Sequence, residues 1–236
     1  MKRNALTLIM RDDPRSFAAE AYRVLRANLH YANPDHPLRC LLVTSTGAGE
    51  GKSTTVANLG MCLAQADRSV LLVDADLRRP TLNLFFNQQI NPGLSSYLAG
   101  DAILEAVIHK TPVPNLSLVS CGPVPPNPAE LLASRRMREF LVAVGERYDM
   151  VLLDSPPVLA VSDACALAHL VDGVLLVVGS GTVAQPALRR AKEQIEAVRG
   201  RIVGAVVNRF DASANGYSKR HYDSYDNYYT KESRSK

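Results

Sequence analysis

The residues whose types and spacing could do chemistry are Lys52, Ser53 and three aspartates, Asp74, Asp76 and Asp154. Lys52-Ser53-Thr54 closes a glycine-rich run, Thr46-Gly47-Ala48-Gly49-Glu50-Gly51, and apolar residues precede that run over 41–43. An apolar strand breaking into glycines and then into a helix is the order a phosphate cradle requires. Gly47, Gly49 and Gly51 let backbone N–H groups turn inward around phosphate oxygens, with Glu50 and Thr54 completing the loop and the first helical turn. The helix N-terminus adds partial positive charge, Lys52 can reach the β- and γ-phosphates, and the Ser53 hydroxyl can ligate Mg²⁺. Thr46 stands where the usual motif has its first glycine.

The aspartates occupy two stations. The apolar run over 69–73 ends in Asp74-Ala75-Asp76, and the run over 150–153 ends in Asp154. Carboxylates at the C-terminal ends of strands lie at the edge where open α/β sheets bind ligands. Asp154 can hold the hydration shell of Mg²⁺ opposite Ser53. Asp74 and Asp76 are both available for Mg²⁺ and for accepting a proton, and spacing alone allows either order.

The elements that must position these groups follow from periodicity. Val56, Leu59 and Leu63 recur at helical spacing after the loop, and further strands are predicted over 116–120, 174–178 and 202–207, the last ending at Asn208-Arg209. Helices are predicted over 162–170 and 184–198, and one from 129 to 146 after a proline-dense loop. Continuous apolar strands alternating with helices predict an α/β fold: an open, mostly parallel sheet with helices on both faces.

Residues 1–12 read as poorly ordered. Asp13-Pro14 then predicts an N-cap and first helical position, opening a helix to about Tyr31. Phe17, Ala18, Ala21, Tyr22, Leu25 and Leu29 gather on one face, with Glu20, Arg23 and Arg26 opposite. On spacing alone those three form a solvated face with an i,i+3 ion pair.

With 236 residues and 47% hydrophobic content, the chain can bury one substantial core with appendages. Its longest apolar stretch is too short to span a bilayer and no signal peptide is evident, so a cytoplasmic location is expected. Cys40, Cys62, Cys121 and Cys165 show no paired spacing and read as buried free thiols. A net charge of +4 favours an anionic partner or the inner membrane surface without indicating nucleic acid. Residues 211–236 contain no Ile, Leu, Val, Met or Phe, yet hold Tyr217, Tyr222, Tyr225, Tyr228 and Tyr229, five of the nine tyrosines. A segment without aliphatic surface to bury is expected to be disordered. The organisation expected is therefore an N-terminal arm and helix (1–38), a nucleotide-binding domain (39–210) and a tyrosine-rich tail (211–236).

Taken together, these features resemble the bacterial tyrosine kinases, the cytoplasmic autokinases of capsular and exopolysaccharide synthesis, in their one-domain form. Gly49-Glu50-Gly51-Lys52-Ser53-Thr54 is similar to the family's Walker A. Leu71-Leu72-Val73-Asp74-Ala75-Asp76-Leu77-Arg78 is similar to its A′ motif, and Val151-Leu152-Leu153-Asp154-Ser155-Pro156-Pro157 to its Walker B. The segment Pro125-Pro126-Asn127-Pro128-Ala129-Glu130-Leu131-Leu132 also recurs in the family. Ala48 replaces a frequent proline, and Asn83 a frequent histidine. The resemblance implies ATP and Mg²⁺ as cofactors, Mg²⁺ held through Ser53, Asp76 and Asp154, and Asp74 as the base. Asn208 and Arg209 are candidates for the adenine edge, and the resemblance implies that the five tail tyrosines are where autophosphorylation falls. Glu20, Arg23 and Arg26 match the family's E-x-x-R-x-x-R pattern, which implies a ring-forming contact and replaces the solvated-face reading. Implied partners are other copies of the chain, a membrane-embedded polysaccharide co-polymerase acting as activator, and a cognate phosphotyrosine phosphatase. That activator would hold the protein at the inner face of the membrane.

Three rival readings compete with this one. ParA/MinD-type ATPases share sheet and loop but carry a signature lysine early in the loop, where Gly47 stands here. A non-catalytic ATP-binding regulator of polysaccharide export is disfavoured by intact Lys52, Asp74, Asp76 and Asp154. Single-stranded nucleic acid on Tyr217-Ser218-Lys219-Arg220-His221-Tyr222 is disfavoured by Asp223 and Asp226.

Overall fold

The structure, a computed structural model, describes residues 6–32 and 37–210. The elements in order are α1 (Ile9–Asp12), α2 (Phe17–Tyr31), β1 (Cys40–Ser45), α3 (Lys52–Ala64), β2 (Val70–Asp74), α4 (Leu82–Phe85), α5 (Leu94–Ala99) and α6 (Leu104–Val107). Then come β3 (His109–Lys110), β4 (Leu116–Val119), α7 (Pro128–Leu132), α8 (Arg135–Gly145), β5 (Met150–Asp154), α9 (Asp163–Ala168), β6 (Gly173–Gly179), α10 (Gln185–Ala197) and β7 (Ile202–Asn208). The seven strands form one sheet in the order β3-β4-β2-β5-β1-β6-β7, and every pairing except β3 with β4 is parallel.

Two cores sit on the two faces of this sheet, and the strand alternation sorts residues between them. Leu41 and Val43 of β1, Leu72 of β2 and Leu152 of β5 pack with α1, α2, α3 and α4. Cys40, Leu42, Val73, Leu153 and Leu176 pack with α5 to α10. Because both faces are covered, β1, β2 and β5 are buried along their whole length, which explains their uninterrupted apolar sequences. Cys40, Cys62 and Cys121 are buried free thiols as expected, and Cys165 is half-buried. Among the described residues no helix is long and apolar enough to cross a membrane.

Three expectations need correction. Residues 6–12 are not loose: Leu8 and Met10 are each 1% exposed, and the Asn58 side chain in α3 accepts from the Met10 amide (3.2 Å) and donates to the Thr7 carbonyl (3.1 Å). Two apolar side chains and one amide thus fasten the arm to α3, a long-range contact that local composition does not encode. Second, α2 begins at Phe17, because the Ser16 hydroxyl caps it by accepting from the Ala19 amide, and Asp13 instead ends α1. Third, the helix expected over 129–146 is two helices. Ser134 is extended (ψ 160°) and caps α8 through the Met137 amide, so the chain turns where a continuous helix was expected.

One joint of the scaffold tolerates no side chain. A Cβ on Gly93, just before α5, would lie 2.2 Å from the Gly122 amide nitrogen and 2.4 Å from the Ser120 carbonyl oxygen, both backbone atoms with no rotamer to yield. Gly93→Ala should therefore lower the unfolding free energy by about 3 kcal/mol in urea denaturation, at the upper end of overpacking costs. Gly145→Ala meets nothing within 4 Å at the end of α8 and should be neutral or slightly stabilising.

Candidate active site

The site lies along the carboxyl ends of β1, β2 and β5. Between β1 and α3 the chain must turn sharply, and Gly49 (φ +79°) and Gly51 (φ +96°) adopt left-handed backbone conformations that a side chain would strain. Lys52, Ser53 and Thr54 then open α3, whose first amides face the loop.

Strand register brings the two carboxylate stations together. In the parallel pairing of β2 with β5, Asp74 lies directly opposite Asp154, placing their side chains on the same face of neighbouring strands. Asp74 and Asp154 are fully buried, and Asp76 is nearly so. The Lys52 ammonium approaches the Asp76 carboxylate at 3.6 Å, with both side chains largely shielded from water.

The charge in this cluster is not balanced. Burial first, and then the Asp154 charge, push the Asp74 carboxyl up to about 8, against the pull of two backbone donors. Burial likewise raises Asp154 to about 6, opposed by the Lys52 charge and by the nearby Ser53 hydroxyl, which does not reach hydrogen-bond geometry. One oxygen of Asp74 accepts from the Thr81 (3.0 Å) and Leu82 (2.9 Å) amides, which fixes the carboxyl against the start of α4. Its other oxygen, and both oxygens of Asp154, are buried without a hydrogen-bond partner. Orphaned buried carboxylate oxygens are costly unless a cation or proton completes them, so these residues fit a bound Mg²⁺. Among the described residues no three His, Cys, Asp or Glu side chains form a metal cage. That agrees with an ion held by one or two carboxylates, a hydroxyl, water and phosphate oxygens.

The structure also shows what the residues given no role in the sequence analysis do. Arg78 makes a two-pronged pair with Asp163, Nε to Oδ2 and Nη2 to Oδ1 both at 2.9 Å, and Asp163 is fully buried at the start of α9. This clamps the loop after Asp76 to the opposite wall. The only local signal was an acidic residue at a predicted helix start. Asn208 does reach the phosphate loop, where its amide donates to the Glu50 carbonyl at 2.9 Å, whereas Arg209 is exposed at the strand end. Glu50 turns its carboxylate into the protein rather than toward the cradle.

The i,i+3 ion pair that spacing assigns to Glu20 and Arg23 is present, but the three residues are half-buried rather than solvated. Arg23 pairs with Glu20 at 2.9 Å and donates to the Pro14 carbonyl, while Arg26 donates to the Cys62 carbonyl at 3.0 Å near the end of α3. Both arginines are half-buried, Arg26 because α3 presents an unsatisfied carbonyl there and Arg23 because it reaches back to the chain before α2. The solvent face of α2 instead carries Phe17, Ala21, Val24, Asn28 and Tyr31, all exposed. Tyr217, Tyr222, Tyr225, Tyr228 and Tyr229 lie outside the described residues.

Comparison with known proteins decides the family. A family model described as an AAA domain matches residues 39–206. The tyrosine-protein kinase YwqD of Bacillus subtilis is 39% identical over 208 residues, covering 88% of this chain and 86% of that protein. The chain belongs to the bacterial tyrosine kinases. The kinase superposes on the solved kinase domain of the Escherichia coli tyrosine kinase ETK with a TM-score of 0.82 and 35% identity, over 87% of this chain and 82% of that one. It also matches the septum site-determining protein MinD of Pyrococcus horikoshii, solved with Mg-ADP, at a TM-score of 0.63 and 27% identity, over 73% and 70% of the two chains. The kinase therefore shares its fold with MinD and superposes more fully on the tyrosine kinase domain.

The raised carboxylates carry a sign that can be checked. The folded kinase holds protons on Asp74 and Asp154 that the unfolded chain releases, so the nucleotide-free protein should lose stability as pH rises from about 4 to about 8. Asp154→Asn should raise its unfolding free energy at pH 8 by about 1–3 kcal/mol while abolishing phosphoryl transfer. Equal or lower stability of Asp154→Asn would show that the carboxylate is not destabilising.

Proposed function

We propose that the kinase transfers the γ-phosphoryl group of ATP to Tyr217, Tyr222, Tyr225, Tyr228 and Tyr229 of a neighbouring copy, and that this cycle regulates capsular or exopolysaccharide polymerisation and export. The observation that carries this reading is the buried Asp74, held by two backbone amides with its second oxygen free. A carboxylate with a raised pKa suits proton acceptance near neutral pH.

In the transfer, the tyrosine oxygen bonds to the γ-phosphorus, the bond from that phosphorus to the β,γ-bridging oxygen breaks, ADP leaves and the phenolic proton passes to Asp74. Lys52 and the loop amides of Gly49 and Gly51 stabilise charge on the phosphates, while the Gly47 amide is taken up by the Glu50 carboxylate. Ser53, Asp76 and Asp154 would hold Mg²⁺, which when bound would supply positive charge against the phosphate oxygens. Asn208 and Arg209 meet the adenine edge. The Lys52–Asp76 contact keeps the ammonium inside the site.

The path of the chain supports transfer between copies. Strand β7 ends at Asn208 on the nucleotide edge, and the 211–236 segment can extend at most about 90 Å from there. Glu20, Arg23 and Arg26 sit on α2 beside an exposed row of small and aromatic residues, which supports a ring contact through this helix. A membrane-embedded co-polymerase that activates the kinase and recruits it to the inner face of the membrane, and a phosphatase that resets it, complete the cycle.

The test of the enzyme is phosphotyrosine on purified protein after Mg-ATP, with Lys52→Met and a truncation after Phe210 as controls. Signal lost in both controls is expected, and ATP turnover without phosphotyrosine would favour a MinD-like ATPase. For transfer between copies, tail-bearing Lys52→Met is mixed with an active protein lacking the tail, and the inactive copy should become phosphorylated. Each phosphotyrosine adds about −1.5 to −2 charges. Glu at all five tail positions should thus shift the assembly toward monomer in light scattering, and an unchanged mass would refute charge-driven release.

A further inference from the structure

Glu50 belongs to the phosphate loop by position, yet its side chain does a different job. It is 5% exposed. One carboxylate oxygen accepts from the Thr46 hydroxyl at 2.5 Å and from the Gly47 amide, and the other accepts from the Gly179 amide at 3.0 Å. Its backbone carbonyl accepts from the Asn208 side chain at 2.9 Å. The ends of β1, β6 and β7 therefore converge on one residue in the middle of the loop.

The glycines around it make this convergence close. A Cβ on Gly47 would lie 3.2 Å from the Glu50 Oε1, and a Cβ on Gly51 would lie 2.0 Å from the Asn208 Nδ2. On Gly179 it would meet the Thr182 hydroxyl oxygen at 2.4 Å and the Glu50 Cγ at 3.4 Å. Among the described residues Glu50 has no ion-pair partner, so it does not serve to balance Lys52. All three groups facing its carboxylate donate to it, which suits the acceptor oxygens of a carboxylate.

We propose that Glu50 is a positioning residue of the kinase: its carboxylate and carbonyl tie the phosphate loop to β6 and β7 and hold the cradle in shape before nucleotide arrives. This rests on the reading of the loop as an ATP site. An uncharged isostere cannot make the tie. Glutamine offers one oxygen and one NH₂, so either the Gly47 or the Gly179 amide would face another donor. The nucleotide would then have to organise a loop that Glu50 otherwise organises in advance, and the loss falls on binding.

The experiment uses the full chain and a fluorescent ATP analogue with Mg²⁺, titrated well below the melting temperature, with folding of each variant checked by circular dichroism. Glu50→Gln should raise the Kd roughly tenfold or more, with KM rising in parallel and kcat at saturating ATP changing less. Thr46→Val removes one donor to the same carboxylate and should weaken binding less. The double variant should be no worse than Glu50→Gln alone, because both changes act through one node. A Glu50→Gln protein that is folded and binds with wild-type Kd overturns the tie, as do fully additive losses. Failure of the wild type to bind the analogue would instead remove the ATP reading itself.

Discussion

Uncompensated negative charge is the constraint on which the rest of this structure depends. Parallel pairing of β2 with β5 sets Asp74 opposite Asp154, Asp76 follows two residues later, and Lys52 is the cation within reach. Burying several carboxylates beside one ammonium costs several kcal/mol in a site of low dielectric constant. The cost is borne by two cores, one on each sheet face, which together bury most of the chain's large aliphatic residues. The result is a site complementary to a divalent cation and a polyphosphate rather than to itself, as expected where binding supplies the missing charge.

Around that centre the chain uses polar contacts to set geometry. Two amides at the start of α4 hold Asp74, the Arg78–Asp163 pair holds the loop beyond Asp76, and Glu50 gathers the ends of β1, β6 and β7. The Arg78–Asp163 and Glu50 ties join segments distant in sequence, and all three lie at the carboxyl edge of the sheet. This is where a parallel α/β fold gathers its loops, and it is why the chemistry collects there. The amino edge carries a simpler tie of the same kind, with Asp172 accepting from the Arg39 and Cys40 amides to fix the start of β1.

The N-terminal helix shows how one segment serves two purposes. Arg26 reaches the Cys62 carbonyl and Ala19, Tyr22 and Leu29 pack against the α3 side of the sheet, so α2 is integral to the fold. Its outward row of Phe17, Ala21, Val24 and Tyr31, broken only by Asn28, is too apolar to be explained by solvation alone. The same anchoring that orders α2 presents that row on the surface.

Much of this was legible in the residues. Glycines at 49 and 51 before Lys52, aspartates ending apolar runs, and uninterrupted aliphatic strands are consequences of local physics: left-handed backbone, strand ends and two-sided burial leave their mark on the residues themselves. Parallel topology, the phosphate loop and the three carboxylates could therefore be read directly. What only the tertiary structure decided are contacts between distant segments. The register that makes Asp74 and Asp154 neighbours, the Arg78–Asp163 clamp, the inward turn of Arg26 and the fastening of Leu8 and Met10 by Asn58 leave no periodic trace. Glu50 shows the division most clearly. Its place in the motif is visible in the sequence, but the direction of its carboxylate is set by the amide of Gly179, on a strand that becomes its neighbour only when the sheet assembles.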